Sequence, residues 1–221
     1  MGADLDSARE GAALLDSLTA PLPMEGFILA EMLKSAALVI DTRDDGHVPG
    51  ALHILPEDKF NTYAGWFVDY TEPTYIIAAS DDVERLVCTL RAVGVDRLPG
   101  YFTRREVGEL DAELPLVSPE HAAIQVEQGA FLLDVRAQSE YDEGHIPGAF
   151  HLYFGLLPER LTDLPQDRLI LLYCASGTRS QIAASLLMKH GFRDFASVQG
   201  GIRAWETAGL PVEGRQTLSA T

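Results

Sequence analysis

The chain has 221 residues, 47% of them hydrophobic and 23% charged, which is typical of folded globular proteins and excludes fibrous or collagen-like chains. This length is enough for one large domain or two small ones. The 17 basic and 33 acidic residues give a net charge of -16. Because such a chain repels phosphate backbones and anionic lipid, we expect neither nucleic acid nor a membrane surface as a partner.

The cysteine content and the hydropathy pattern indicate a reducing compartment. Cys88 and Cys174 are too few for a disulfide framework and do not form a C-x-x-C pair. Charged residues interrupt the first 17 positions, and no later stretch approaches the roughly 18 consecutive apolar residues of a membrane span. We therefore expect a cytoplasmic protein without a signal peptide.

The first predicted elements follow an extension, residues 1–22, that resembles no other part of the chain. The first predicted strand ends within the segment A-L-V-I-D-T-R (37–43). The next segment is a turn that leads into a second strand, G-H-V-P-G-A-L-H (46–53). A third apolar run follows at 75–79. A helix-like stretch then continues to Gly94. Within it, Cys88 has apolar neighbours and is interpreted as a core residue.

The same pattern returns in the second half of the chain. F-L-L-D-V-R (131–136) and G-H-I-P-G-A-F-H (144–151) repeat the first two segments in the same order, and the apolar run 169–173 repeats the third. Residues 107–117 interrupt the periodicity with glycine, proline and acidic residues, which indicates a linker. Ser118 followed by Pro119 is typical of a helix start.

The alternation of short apolar runs with helical stretches such as 181–190 predicts an α/β fold, with a parallel sheet flanked by helices on both faces in each copy. We place the first copy at 23–112, the second at 118–214 and a tail at 215–221. Right-handed crossovers put the loops that follow the strands at one edge of the sheet, where open α/β sheets bind ligands. The loop after 169–173 lies at that edge.

This loop has a composition suited to an anion and a nucleophile. It reads Cys174, Ala175, Ser176, Gly177, Thr178, Arg179 and Ser180, and a helix is expected to begin at about Ser180. Backbone N–H groups and the helix dipole would point at the sulfur, which favours the thiolate. Arg179 would lie near an anion bound over the sulfur, and the hydroxyl groups would donate to its oxygens.

Residues 23–214 resemble a tandem of rhodanese domains through the D-V-R, S-E-Y-D-E-G-H-I-P-G-A and C-A-S-G-T-R-S motifs. In that family a six-residue loop, as from Cys174 to Arg179, is typical of sulfurtransferases. A loop one residue longer is typical of dual-specificity phosphatases and arsenate reductases. The resemblance implies that Cys174 is catalytic and that Ala175, Ser176, Gly177, Thr178, Arg179 and Ser180 bind the substrate.

The implied reaction is a ping-pong transfer of sulfane sulfur. Cys174 takes the outer sulfur of thiosulfate or of a persulfide donor, and a thiol or cyanide then removes it. The partners would be small sulfur-containing anions and thiols, and no metal or organic cofactor is expected. Asp134, Arg136 and Glu140 resemble an ion-pair set of the family that braces the end of the sheet.

The first copy departs from the family pattern in two places. The stretch from Asp41 to Gly46 is five residues shorter than its counterpart from Asp134 to Gly144, and no cysteine follows the third apolar run. Its counterpart loop carries Asp81 and Asp82, which would repel an anion. We expect this copy to be inactive, with a structural or regulatory role, and the active site to be local to the second copy.

One further resemblance bears on partners. N-T-Y-A-G-W (61–66) is similar to the inactive rhodanese domain that accompanies persulfide dioxygenases. A separate dioxygenase or a sulfur-acceptor protein is therefore a candidate partner. The paired histidines at 47, 53, 145 and 151 repeat one turn motif and are interpreted as structural rather than metal-binding.

Two alternatives to the sulfurtransferase stay open at this point. One is a phosphatase or arsenate reductase, which the loop length disfavours. The other is a binding module without catalysis, which the joint presence of Cys174 and Arg179 disfavours. The sequence does not identify the physiological donor and acceptor, the oligomeric state, or the role of residues 1–22.

Overall fold

The computed structural model describes residues 20–214. Most of the predicted extension (1–22) and the whole of the predicted tail (215–221) therefore lie outside the described residues. The described chain forms two units, each built around one five-stranded parallel sheet. We call them the first unit (22–110) and the second unit (116–207).

The first unit alternates strands and helices, as the apolar runs predict. Its strands are β1 (Leu22–Pro23), β2 (Leu38–Asp41), β3 (Leu52–His53), β4 (Thr74–Ile77) and β5 (Gly100–Phe102). Its α-helices are α1 (Gly26–Met32), α2 (Phe60–Gly65), α3 (Val83–Arg91) and α4 (Arg104–Val107). Short 3-10 turns stand at Ser80–Asp82 and Gly108–Leu110.

The second unit repeats this arrangement with more helix. Its strands are β6 (Leu116–Val117), β7 (Phe131–Asp134), β8 (Phe150–His151), β9 (Ile170–Tyr173) and β10 (Phe195–Val198). Its α-helices are α5 (Pro119–Glu127), α6 (Gln138–Glu143), α7 (Leu157–Arg160), α8 (Thr178–Lys189) and α9 (Gly201–Thr207). Further 3-10 turns stand at Phe154–Leu156 and Leu161–Asp163.

The two sheets have the same strand order. It is β1-β5-β4-β2-β3 in the first unit and β6-β10-β9-β7-β8 in the second. The central strands also match in register, since Asp41 pairs with Ile77 and Asp134 pairs with Tyr173. The predicted α/β fold with parallel sheets flanked by helices is confirmed, and this register makes Ala78 the positional counterpart of Cys174.

Both sheets begin slightly before the predicted copies do. β1 starts one residue before position 23, and β6 starts two residues before position 118, inside the predicted linker. The predicted helix start at Ser118 is confirmed, because its side chain accepts a hydrogen bond from the backbone N–H of His121 at 3.3 Å. Pro119 occupies the first turn, as proline prefers.

The core interpretation of Cys88 is wrong, because its side chain is exposed. Helix α3 buries Val83, Leu86, Val87 and Leu90, which form one stripe at helical spacing. Cys88 follows Val87 by one residue, a rotation of roughly 100° around the helix axis. That rotation turns the thiol out of the buried stripe.

The two units share one apolar core. The largest cluster of buried side chains includes Leu52 and Phe60 from the first unit together with Phe154 and Leu186 from the second. Strand β3 packs on helix α8, where the backbone N–H of His53 donates to Ser185 Oγ at 3.0 Å. No helix between residues 20 and 214 is both long and apolar enough to cross a membrane.

Candidate active site

Cys174 stands directly after the buried strand β9, at the start of a tight loop. Gly177 closes the loop with a φ of 112°, a left-handed conformation that glycine adopts without the steric penalty of a side chain. Helix α8 therefore begins at Thr178, two residues before the predicted start at about Ser180. The loop places the sulfur at the N-terminal end of the longest helix described.

The sulfur lies inside this loop, and Cys174 is only 1% exposed. The Gly177 N–H donates to Sγ at 3.1 Å, and Ser180 Oγ stands 3.7 Å from it. The Ser180 hydroxyl also lies 2.9 Å from the Gly177 carbonyl oxygen and accepts from Ser197 Oγ at 2.7 Å. A buried chain of hydroxyl groups thus extends from β10 to the sulfur. Ser197 was not among the predicted site residues.

Arg179 forms a bidentate ion pair with Glu140 of helix α6, with N–O distances of 2.5 and 2.7 Å. The predicted grouping of Glu140 with Asp134 and Arg136 in a bracing ion-pair set is therefore wrong for Glu140. Hydrogen bonds from Arg179 and from the Ala137 N–H lower the pKa of Glu140 to about 2. Both partners therefore carry their charges at neutral pH.

Asp134 and Arg136 do form the predicted brace. Both are buried, and the Arg136 Nη2 to Asp134 Oδ2 distance is 2.6 Å. Arg136 also donates to the Gly144 carbonyl at 2.7 Å, which holds the turn before β8. The first unit has the same brace, Asp41 with Arg43, at 2.8 Å.

A glycine pair that sequence reasoning did not single out supports the loop from behind. Gly200 and Gly201 both adopt left-handed conformations at the start of helix α9. A side chain on Gly201 would collide with the Cys174 carbonyl oxygen. The close approach lets the Ile202 N–H donate to that carbonyl at 2.8 Å. The consecutive glycines after β10 were the signal that could have revealed this contact.

The loop opens into a cleft of about 590 Å³ between the two units. Of the predicted site residues, five line this cleft: Cys174, Ala175, Ser176, Thr178 and Arg179. The other two, Gly177 and Ser180, lie against the sulfur and support the loop instead. All seven predicted residues therefore come together around one sulfur atom.

The opposite wall of the cleft belongs to the first unit. Glu57, Asp58, Lys59 and Tyr63, at and before helix α2, line it together with Arg203 of the second unit. Tyr63 is half-buried and packs edge-on against Phe154, and burial raises the pKa of its hydroxyl. The site was predicted to be local to the second copy. This wall was not predicted, because only the packing of the two units creates it.

The corresponding edge of the first unit lacks these features. A cavity of about 510 Å³ there is lined by Ala78 in place of the cysteine and by the carboxylates of Asp44, Asp45, Glu57 and Asp82. Two arginines line it as well. Both are paired, Arg43 with Asp41 and Arg104 with Asp45. An anion would find no free arginine there.

The paired histidines have structural surroundings. His47 and His53 pack ring against ring with centroids 5.5 Å apart, and burial lowers the pKa of His47 to about 4. His151 Nε2 lies 2.8 Å from the Arg136 carbonyl oxygen. Over residues 20–214, no group of three or more histidine, cysteine, aspartate or glutamate side chains has the arrangement of a metal site.

Comparison with known proteins assigns the second unit to a family. Residues 118–208 match the family model described as a rhodanese-like domain. A sulfurtransferase of Allochromatium vinosum is 39% identical over 85 residues, which cover 38% of this chain and 79% of that protein. The thiosulfate sulfurtransferase GlpE of Pseudomonas fluorescens is 36% identical over 96 residues, covering 43% and 88%.

Two further proteins are similar to parts of the chain. A putative sulfur carrier protein of Bacillus subtilis, YrkF, is 39% identical over 74 residues, covering 34% of this chain and 40% of that protein. A rhodanese-related protein from Thermoplasma volcanium, known from a crystal structure, is 27% identical in sequence. The aligned part covers 45% of this chain and 98% of that protein, with a TM-score of 0.43. Because residues 118–208 match this family model and sulfurtransferases are among the relatives, the chain belongs to the rhodanese-like family.

Proposed function

We propose that the protein transfers sulfane sulfur through a persulfide on Cys174. The observation that carries this proposal is the position of the sulfur, which accepts the Gly177 N–H and faces a cleft beside Arg179. A terminal sulfur added to Cys174 would extend into that cleft. Negative charge on it would meet the N-terminal end of helix α8, where the macrodipole is positive.

The proposed cycle needs no added cofactor. The Cys174 thiolate attacks the outer sulfur of a donor, the donor's S–S bond breaks, and its remaining sulfur-containing part leaves as an anion. The enzyme then holds Cys174–S–S⁻. An acceptor thiolate or cyanide attacks the terminal sulfur, carries it away and restores the Cys174 thiolate.

Thiosulfate is the first donor to test, since one relative is named a thiosulfate sulfurtransferase. The name of another relative, a putative sulfur carrier protein, favours a thiol or a carrier protein as acceptor. The two cysteines of the chain are both free, as is usual for proteins of reducing compartments, and this supports the proposed cytoplasmic location. A separate persulfide dioxygenase or a sulfur-acceptor protein remains our proposed partner.

We further propose that the first unit is a rhodanese-like domain without catalytic activity, spanning about 23–112, and that 118–214 is the catalytic domain. The shared strand order and the twin aspartate–arginine braces support common ancestry of the two. The alanine at position 78 and the four carboxylates around it support the loss of activity.

The deciding experiment is mass spectrometry of the intact protein and of its peptides after incubation with thiosulfate. We expect one added sulfur atom on the peptide that contains Cys174, and its removal by cyanide or a thiol. The exposed Cys88 provides the internal control, because thiosulfate that reacted with any accessible thiol would add sulfur to Cys88 as well. Sulfur on Cys88 alone, or on neither cysteine, would contradict the proposal.

A further inference from the structure

Four charged side chains on the cleft walls have no ionic partner among the residues that the structure describes. Glu57, Asp58 and Lys59 come from the first unit and Arg203 from the second, and all four are exposed residues that line the cleft. Since exposed charges without partners are free to reorient, each is available to a bound molecule.

The remaining charges of the cleft cancel each other. Arg179 and Glu140 form the bidentate pair described above, so their net contribution is close to zero. Two free anions and two free cations are left, and they line the same cleft as Cys174, whose sulfur is negative in its reactive form. Such a wall favours a ligand that carries both signs of charge over a small dianion.

We propose that this cleft selects an organic persulfide bearing both an ammonium and a carboxylate group, that is, the persulfide of an amino-acid or short-peptide thiol. This inference rests on the proposed sulfur transfer and names its substrate class. Lys59 and Arg203 bind the carboxylate, while Glu57 and Asp58 bind the ammonium. These four are specificity-determining residues, and three of them belong to the first unit, whose loop after β4 carries no cysteine.

The size of the cleft agrees with this substrate class. Its volume of about 590 Å³ leaves much space around a five-atom anion such as thiosulfate. The half-buried ring of Tyr63 adds an apolar surface on the same wall, against which the carbon chain of an organic donor can pack.

The transfer itself balances without an added oxidant. The Cys174 thiolate attacks the terminal sulfur of R–S–SH, a new S–S bond forms, and the original S–S bond breaks. R–S⁻ leaves and takes up the proton that the donor released. The products are Cys174–S–S⁻ and R–SH.

The test uses two donors that differ in one charge, cysteine persulfide and N-acetylcysteine persulfide, with thiosulfate as a third. Initial rates give kcat/KM for the full-length protein, and peptide mass spectrometry follows sulfur on Cys174. The two variants are Glu57→Gln with Asp58→Asn, and Lys59→Met with Arg203→Met. Lys34→Met with Arg193→Met, two exposed cations outside the cleft, is the matched control.

We expect the unaltered protein to prefer cysteine persulfide over its N-acetyl form by about twofold to fivefold, the range of an exposed charge pair. The Glu57→Gln, Asp58→Asn variant should lose this preference and use thiosulfate faster, because repulsion of the dianion falls. The Lys59→Met, Arg203→Met variant should use both cysteine-derived donors about threefold to tenfold more slowly. The control should match the unaltered protein.

Two results would overturn the inference in different ways. If Cys174 takes up sulfur but the two cysteine-derived donors react equally, or the acidic variant keeps the preference, the substrate class is wrong and the proposed sulfur transfer stands. If none of the three donors puts sulfur on Cys174, both proposals fail.

Discussion

The two units have the same sheet and the same brace, but they differ at the loop after the central strand. In the second unit that loop wraps a sulfur and leads through Gly177 into the 12-residue helix α8. In the first unit Ala78 and Ala79 lead into a 3-10 turn that carries Asp81 and Asp82. The same strand order and the same buried ion pair thus occur with two different loops, because neither depends on the loop.

A second difference concerns helix α6. The first unit lacks the five residues that form most of this helix in the second, and with them any counterpart of Glu140. Glu140 is what fixes Arg179 beside the loop. The arginine of the loop therefore depends on an element 39 residues away in the sequence, and the first unit lacks both.

The largest effect is expected from Cys174→Ser, which should abolish sulfur transfer and leave the fold unchanged. A hydroxyl stays protonated near neutral pH and is a weak nucleophile without an adjacent base. Steady-state assays with thiosulfate and cyanide measure the activity, and circular dichroism checks the fold. Cys88→Ser is the matched control and should keep full activity. Activity in Cys174→Ser near that of the unaltered protein would place the reaction elsewhere.

A smaller loss is expected from Arg179→Ala. The substitution removes a charge-assisted contact of about 1.5 to 3 kcal/mol, which corresponds to roughly one to two decades in kcat/KM for an anionic donor. It also leaves the Glu140 carboxylate unpaired at the cleft, and this adds repulsion. Arg179→Lys should recover part of the loss, since a lysine keeps the charge but not the bidentate geometry.

The double variant Arg179→Ala, Glu140→Gln separates these two effects. If repulsion by the unpaired carboxylate matters, the double variant should be faster than Arg179→Ala with thiosulfate. Equal rates for the two variants would show that Glu140 acts only by positioning Arg179. A kcat/KM for Arg179→Ala equal to that of the unaltered protein would show that the loop N–H groups alone bind the donor.

A modest effect on stability is expected from Glu140→Gln, with a defined pH dependence. The folded-state pKa of Glu140 is about 2, below its ordinary value of 4.5. Its contribution is therefore fully present above about pH 4.5 and is lost as the pH falls toward 2. Since a third of the carboxylate is exposed, solvent screening limits the contribution to ~1 kcal/mol.

Urea unfolding at a series of pH values measures this contribution. The free energies of unfolding of the unaltered protein and of Glu140→Gln should differ near neutral pH and converge as the pH falls from about 4.5 toward 2. A difference that stays constant over this range would mean that the charge of Glu140 does not stabilise the fold.

The local features of the site could be predicted from the sequence, and the long-range ones could not. The loop from Cys174 to Arg179 is contiguous, so its residue types indicate an anion site at a helix start without any structure. The Glu140 pairing depends on the packing of helix α6 against the loop, which no local pattern reveals. The wall formed by Lys59 and Tyr63 depends on the packing of two units. Cys88 was assigned wrongly because apolar neighbours in sequence do not fix a residue's angle around a helix.

The smallest expected effect comes from the most direct test of the comparison, Ala78→Cys. This substitution puts a thiol at the position that corresponds to Cys174, at the end of β4. We expect no sulfur transfer at that position, for two reasons. The 3-10 turn after Ala79 has no glycine that would fold an N–H back onto the sulfur. Among the described residues, the cavity also holds the unpaired carboxylates of Asp44 and Glu57 but no unpaired arginine, so it repels both an anionic donor and a persulfide. The substitution is best made in the Cys174→Ser background, where any transfer must come from the new thiol. Peptide mass spectrometry with thiosulfate and with cysteine persulfide as donors then measures sulfur on the new thiol.

Transfer at a rate near that of the unaltered protein would show that the strand end alone confers activity. In that case the loop, helix α6 and the arginine would not be what separates the two units.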